Sequence, residues 1–133
     1  MNKIELNDID VASPSVVRTA ARDFAAALAE TPQFKVFEQA YEAFSKDAAA
    51  HQALYAYQAK AKSLRAVMML NAASEAERAE LERLQNDYVR RPSVQAYAAA
   101  EAELTAICRQ AAGMISAATG LNYSAACGAS CCG

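Results

Sequence analysis

The stretch TPQFKVFEQAYEAFSKD, residues 31–47, decides the fold. Phe34, Phe37, Tyr41 and Phe44 recur at spacings of three and four, which on a helix of 3.6 residues per turn puts all four rings on one face. Alternation with period two, the mark of a half-buried strand, is missing from it. Pro32 suits the first position of a helix, where its missing N–H is no loss, and Thr31 before it is a good N-cap. The stretch therefore predicts an amphipathic helix from about Pro32 to Ser45.

The same punctuation works outward in both directions. The only other prolines, Pro14 and Pro92, also read as helix starts, and all four glycines fall at or after Gly113. A first helix is predicted from about Pro14 to Glu30, with Val16, Ala20, Phe24 and Leu28 four apart. Asp47 is predicted to cap a third helix running to about Leu70, with a stripe of Leu54, Tyr57, Ala61, Leu64 and Met68. Ser74-Glu-Ala-Glu77 has the form of a capping box and opens a fourth helix carrying Leu81, Leu84 and Tyr88. The fifth runs from Pro92 to about Thr119, with Val94, Tyr97, Leu104, Cys108, Ala111 and Ile115 on its stripe and Gly120 placed to end it in a left-handed turn. Asn71-Ala-Ala-Ser74 is the expected hairpin tip. The expected fold is all-α: an antiparallel helical bundle of about five helices, with a domain over residues 1–120 and a flexible Cys-rich tail over 121–133. The long third and fifth helices are expected to form its backbone, and the short links elsewhere to join antiparallel neighbours.

Residues 31–40 have an echo. Thr31-Pro32, Phe34, Phe37 and Ala40 correspond to Arg91-Pro92, Val94, Tyr97 and Ala100 at a constant offset of 60, and Phe44 corresponds to Leu104. This is either a pseudo-repeat or the likeness of any two Pro-initiated amphipathic helices. Both readings dock an apolar first turn into the core.

Composition sets further bounds. Alanine fills 34 of 133 positions and Trp is absent, so the core is expected to be thin and completed by a partner or a second copy. With 13 basic and 15 acidic residues and a net charge of −2, no broad electrostatic grip on nucleic acid is predicted. Met1-Asn2-Lys3-Ile4-Glu5-Leu6-Asn7-Asp8 lacks the apolar run of a signal peptide, and no stretch has the length of a membrane span. A cytoplasmic location is the expectation.

No Gly-rich phosphate loop precedes Gly113. His51 is the only histidine and reads as a surface residue rather than a general base. Glu75, Glu77, Glu80 and Glu82 suit the positive end of a helix dipole and read as a solvated face. Lys60, Lys62, Arg65, Arg90 and Arg91 read the same way, with an RNA or acidic-partner contact as the alternative. No catalytic residue is assigned, and the chain is not expected to be an enzyme. Phe34, Phe37, Tyr41 and Phe44 are assigned to the core or a subunit interface.

The end of the chain, Cys127-Gly-Ala-Ser-Cys131-Cys132-Gly133, holds three of the four cysteines. In a reducing compartment, clustered cysteines bind metal more often than they form disulfides. Thiolates suit Fe–S clusters, zinc and Cu(I). A four-thiolate site needs one ligand more than Cys127, Cys131 and Cys132 supply. Cys108 reads as a small buried hydrophobe, so a second chain is the expected source. Thiol redox exchange and an inert terminus are the competing readings.

Two segments carry a resemblance: TPQFKVFEQAYEAFSKD, and NDYVRRPSVQAYAAAEAEL with its Asn86, Val94 and Tyr97. Together with the long helix between them, they make the chain similar to the YlbF/YmcA family of small bacterial helical regulators, from about Val16 to Thr119. The resemblance implies an all-α, self-associating regulator. It further implies a complex with a YmcA-type subunit and a PSP1-domain protein that binds an Fe–S cluster, the 4Fe–4S type among the candidates, with zinc or no metal as alternatives. Through RNase Y, such a complex influences mRNA maturation, sporulation, competence and biofilm formation. Cysteines near the chain end help hold the cluster in that family. The spacing of Cys127, Cys131 and Cys132 departs from the family pattern.

Overall fold

The computed structural model describes residues 13–123. It is all-helical: α1 Pro14–Ala29, α2 Pro32–Lys46, α3 Ala48–Met69, α4 Glu75–Val89 and α5 Pro92–Thr119. Each predicted helix is present, and the boundaries follow the local chemistry. Thr31 Oγ1 accepts the Phe34 N–H at 3.2 Å and donates to the Leu28 carbonyl at 2.7 Å, so one hydroxyl ends α1 and starts α2. Asp47 is both the last residue of the α2 cap and the N-cap of α3, where Oδ1 accepts the Ala50 N–H at 3.0 Å. Ser74 and Glu77 form the full capping box of α4. Gly120, at φ 73°, closes α5 with its N–H on the Ser116 carbonyl. Ser13, the N-cap residue before Pro14, makes no side-chain cap and bonds instead to the Ser15 hydroxyl.

The helices pack as one long folded-over arm. α2 lies against α5 and α3 against α4, with slighter contacts between α1 and α2 and between α4 and α5. α3 and α5 are the two longest helices, as expected, and each packs on a different partner, whereas the expectation that short links join antiparallel neighbours is corrected. The joints at Glu30–Thr31, Asp47 and Arg90–Arg91 are one or two residues long, and the helices they join pack little against one another. The chain reverses between α3 and α4. There Asn71, at φ 55°, takes the left-handed position. The Ala72 and Asn71 N–H groups reach back to the Val67 and Met68 carbonyls at 2.9 and 3.0 Å, a Schellman stop with asparagine in the place usual for glycine. The hairpin tip thus lies where the sequence put it. Arg78 donates to Asn71 Oδ1 at 3.2 Å and ties α4 to the turn.

The 60-residue echo is structural. Glu30 and Thr31 have φ/ψ of −83/−8° and −70/147°; Arg90 and Arg91 have −82/−4° and −67/134°. The α1–α2 and α4–α5 joints are the same turn. Ala40 and Ala100, equivalent in the echo, are both buried, and the equivalent rings of Phe37 and Tyr97 meet at 5.7 Å between centroids. Equivalent positions facing each other across an antiparallel helix pair imply a local pseudo-two-fold axis between α2 and α5.

The core is thin, as expected. Among the described residues only Ala40, Ala50, Leu64, Val94 and Ala100 are buried. Alanines permit close helix approach, but little area leaves water with each one, and each buried CH2 contributes only about 0.8 kcal/mol. Large apolar side chains remain at the surface, including Val16, Val17 and Phe24 on α1, Met69 and Leu70 at the tip, and Met114 and Ile115 on α5.

Candidate functional site

Two features stand out where α2 meets α5. The first is an aromatic row. Phe34 and Phe37 are 6.3 Å apart between centroids, as are Phe37 and Tyr41. Tyr97 of α5 inserts among them at 5.7 Å from Phe37, 6.0 Å from Tyr41 and 5.3 Å from Phe44, the last nearly parallel at 16°. Offset and tilted pairs at these separations are favourable beyond the area they bury. Phe34, Phe37 and Phe44 are half-buried and Tyr41 is 53 % exposed. The row is therefore held from inside by Tyr97 and keeps one edge open. Burial, with the negative charge of Glu101 behind it, raises the Tyr97 phenol above its ordinary value. A shallow apolar groove lies between the same helices, lined by Pro32, Gln33, Val36, Ala96, Ala99, Ala100 and Glu103.

The second feature is the elbow where both strands of the hairpin break. The Ser93 hydroxyl donates to Asp47 Oδ2 at 2.6 Å, joining residues 46 apart in the chain. That hydrogen bond, the Ala50 N–H and nearby Arg91 hold the Asp47 carboxyl below its ordinary value, against a weaker opposing effect of burial. One carboxylate thus serves two helices: it caps α3 and receives the first turn of α5. Beside it, Arg91 Nε is buried without a hydrogen-bond partner, and the Phe44 and His51 rings meet across the α2–α3 joint at 4.9 Å, tilted by 45°. The sequence identified Asp47 as a cap but gave no sign of Ser93 as its partner, because nothing local links positions 46 apart.

Cys127, Cys131 and Cys132 lie outside the described residues. Cys108, the remaining thiol, is free and half-buried on α5, in keeping with its place on the apolar stripe. Among the described residues no three His, Cys, Asp or Glu side chains come together as a metal site. His51 faces Phe44 and not a carboxylate cluster. The acidic face of α4 is bound up locally: Arg83 bridges Glu80 and Asp87, each at 2.8 Å. Glu77 is held below its ordinary value by the Ser74 N–H and hydroxyl. Among the described residues, no helix is long and apolar enough to cross a membrane.

These features describe a helical surface with an aromatic row open along one edge. No curated protein and no solved structure matches the chain. A family model described as "Control of competence regulator ComK, YlbF/YmcA" matches residues 17–118, about three-quarters of the sequence. It takes in the aromatic row, the elbow and the hairpin tip, and the chain belongs to this YlbF/YmcA family of competence regulators.

Proposed function

We propose that this protein is a non-enzymatic regulatory adaptor. It self-associates or joins related subunits through apolar helix faces, and its terminal Cys127, Cys131 and Cys132 contribute thiolates to an Fe–S or other thiophilic metal site completed by a second chain. Family membership supports the regulatory part. The single observation that carries the adaptor reading is the thin core: among the described residues five buried side chains, three of them alanine, beneath an aromatic row with an open edge. A surface of this kind gains apolar burial when a partner covers it. A second copy, a YmcA-type subunit and a PSP1-domain protein are the partners that fit, with RNase Y-dependent mRNA processing and development as the process served.

The thiolate part rests on donor chemistry. Three soft ligands in a short run leave a four-thiolate site one short. Cys108 is held in the stripe of α5, so the fourth comes from another molecule, and metal occupancy depends on assembly. Full-length protein purified without oxygen, alone and with its co-purifying subunits, is measured for iron, zinc and visible absorption. The expected result is metal in the assembled material, lost when Cys127, Cys131 and Cys132 are all changed to Ser. Assembled native material free of iron and zinc refutes the metal site. Stoichiometric metal or rapid thiol exchange in the isolated chain favours a stand-alone redox or metal-trafficking protein instead.

A further inference from the structure

α2 and α5 run antiparallel, and Pro32 and Gln33 at the start of α2 line one groove with Glu103, well inside α5. α1, which leads into α2, and the second half of α5 therefore leave the α2–α5 pair at the same end. α5 has 28 residues against 15 in α2, so its last turns run on beyond its partner. Among the described residues nothing closes this end: α1 packs only on α2, and slightly, and none of its residues is buried. The opposite end of the molecule shows closure. At the offset of 60, α1 corresponds to α4, and α4 is covered by α3. Leu84 of α4 is half-buried, while Phe24, its equivalent in α1, is 48 % exposed. Equivalent helices thus have a mate at one end and none at the other.

The open end has the composition of an interface core. Val16, Val17 and Phe24 on α1, Met114 and Ile115 on α5, and Leu121 just after it are between 43 % and 74 % exposed. No charged side chain occurs between residues 110 and 123, in a chain with 21 % charged residues. On α1 the helical spacing sets Arg18 and Arg22 on the side away from Val17 and Phe24. Apolar exposure with depletion of charge marks the centre of protein–protein contacts, and a nucleic acid finds no cation on this face to pair with its phosphates. At about 150 Å² for each large side chain, the low end of the aromatic range, the six residues leave on the order of 500 Å² of apolar surface exposed. Exposed alanines among them, such as Ala20 and Ala117, carry the face toward the ~800 Å² that each partner buries in a stable interface.

We propose that a second copy of this chain docks at the open end: the α1 face of each copy covers the second half of α5 of the other about a two-fold axis, and the two open ends close each other as α3 closes α4. A two-fold contact uses the same patch on both copies, so one interface covers both helices on both chains. The inference rests on the adaptor reading and adds its geometry. Self-contact is made at the open end, and the aromatic row of α2 stays free for a different subunit.

Sedimentation equilibrium of the full chain under reducing conditions tests this. Wild type is expected to be a dimer. Val17→Glu and Met114→Glu each put a carboxylate into the contact and should weaken dimerisation at least tenfold. Both positions are exposed in the single chain, so the helical content and unfolding midpoint of the variants should match those of dilute, monomeric wild type. Tyr41→Ala in the aromatic row should leave the dimer intact, and so should the joint change of Cys127, Cys131 and Cys132 to Ser. A monomeric wild type overturns the proposal and leaves the adaptor reading to contacts with related subunits. A dimer that survives both Val17→Glu and Met114→Glu overturns it too. So does a dimer lost in Tyr41→Ala, which keeps the adaptor reading but moves the self-contact to the row, or one lost with the terminal cysteines, which ties assembly to the thiolates instead.

Discussion

Replacing Tyr97 with Ala tests the packing on which the fold depends. Tyr97 is the one ring that α5 contributes to the α2 row, and it meets Phe37, Tyr41 and Phe44 at 5.3 to 6.0 Å. Removing a fully buried aromatic side chain costs about 3–5 kcal/mol. Tyr97 is only half-buried, which lowers the transfer part of that cost, while three ring pairs worth about 0.5–1.5 kcal/mol each beyond their area partly restore it. The expected loss is about 2–3 kcal/mol, a large share of the ~5–15 kcal/mol that holds an ordinary domain together. At about 4 °C per kcal/mol for a domain of this size, Tm should fall by about 8–12 °C. Tyr97→Phe keeps the ring and should stay within about 0.5 kcal/mol of wild type. Urea and thermal unfolding followed by circular dichroism at 222 nm, repeated across protein concentrations to separate folding from association, give both numbers. A loss below about 0.5 kcal/mol for Tyr97→Ala, or equal losses for the two variants, would refute the reasoning, because the ring would then not be the anchor between α2 and α5.

Two further outcomes are expected. Leu64→Ala, at the one large aliphatic side chain buried in α3, should cost about 2–4 kcal/mol, at the lower side of the range for core leucines because an alanine-lined site can partly collapse; urea unfolding reads this, and a neutral result would mean that the α3–α4 unit is held by its turn rather than its core. Asp47→Asn should leave the α3 cap in place, since Asn also caps well, but should remove a carboxylate whose folded-state value is depressed. Such a group stabilises above its unfolded value of about 3.9 and loses that contribution as pH falls through the folded value, so the Tm gap between wild type and Asp47→Asn should be present at neutral pH and close below about pH 4; a gap that persists unchanged in acid contradicts this account.

Much of the fold was legible because it is written in local signals. Pro32 and Pro92 mark helix starts, Ser74 and Glu77 a capping box, residues 71–74 a hairpin tip and Gly120 a left-handed stop, and each acts within four residues of itself. The helix partners were harder. Stripe spacing shows that α3 and α5 have apolar faces but not which faces meet, and the structure pairs α5 with α2. The α1–α2 and α4–α5 joints share one αR–β backbone at Glu30–Thr31 and Arg90–Arg91, and the helices they join pack little on each other. Phe34, Phe37, Tyr41 and Phe44 were readable as a row, whereas Tyr97 as their anchor could be guessed only from the echo. The Asp47–Ser93 contact was invisible, because a cap residue and a serine behind a proline are each fully explained by their own helices. The terminal cysteines could be read only as donor chemistry.

That the chain turns back at residues 70–74, between α3 and α4, also orders how it must assemble. α3 and α4 are joined by a short turn and can meet with little loss of loop entropy, while α2 and α5 are brought together across the 46 positions that separate Asp47 from Ser93 and gain most once the inner pair has closed the distance. The molecule should zip from the tip toward its ends. Pulsed hydrogen exchange during refolding would then find amides of α3 and α4 protected before those of α2, and the reverse order would contradict it.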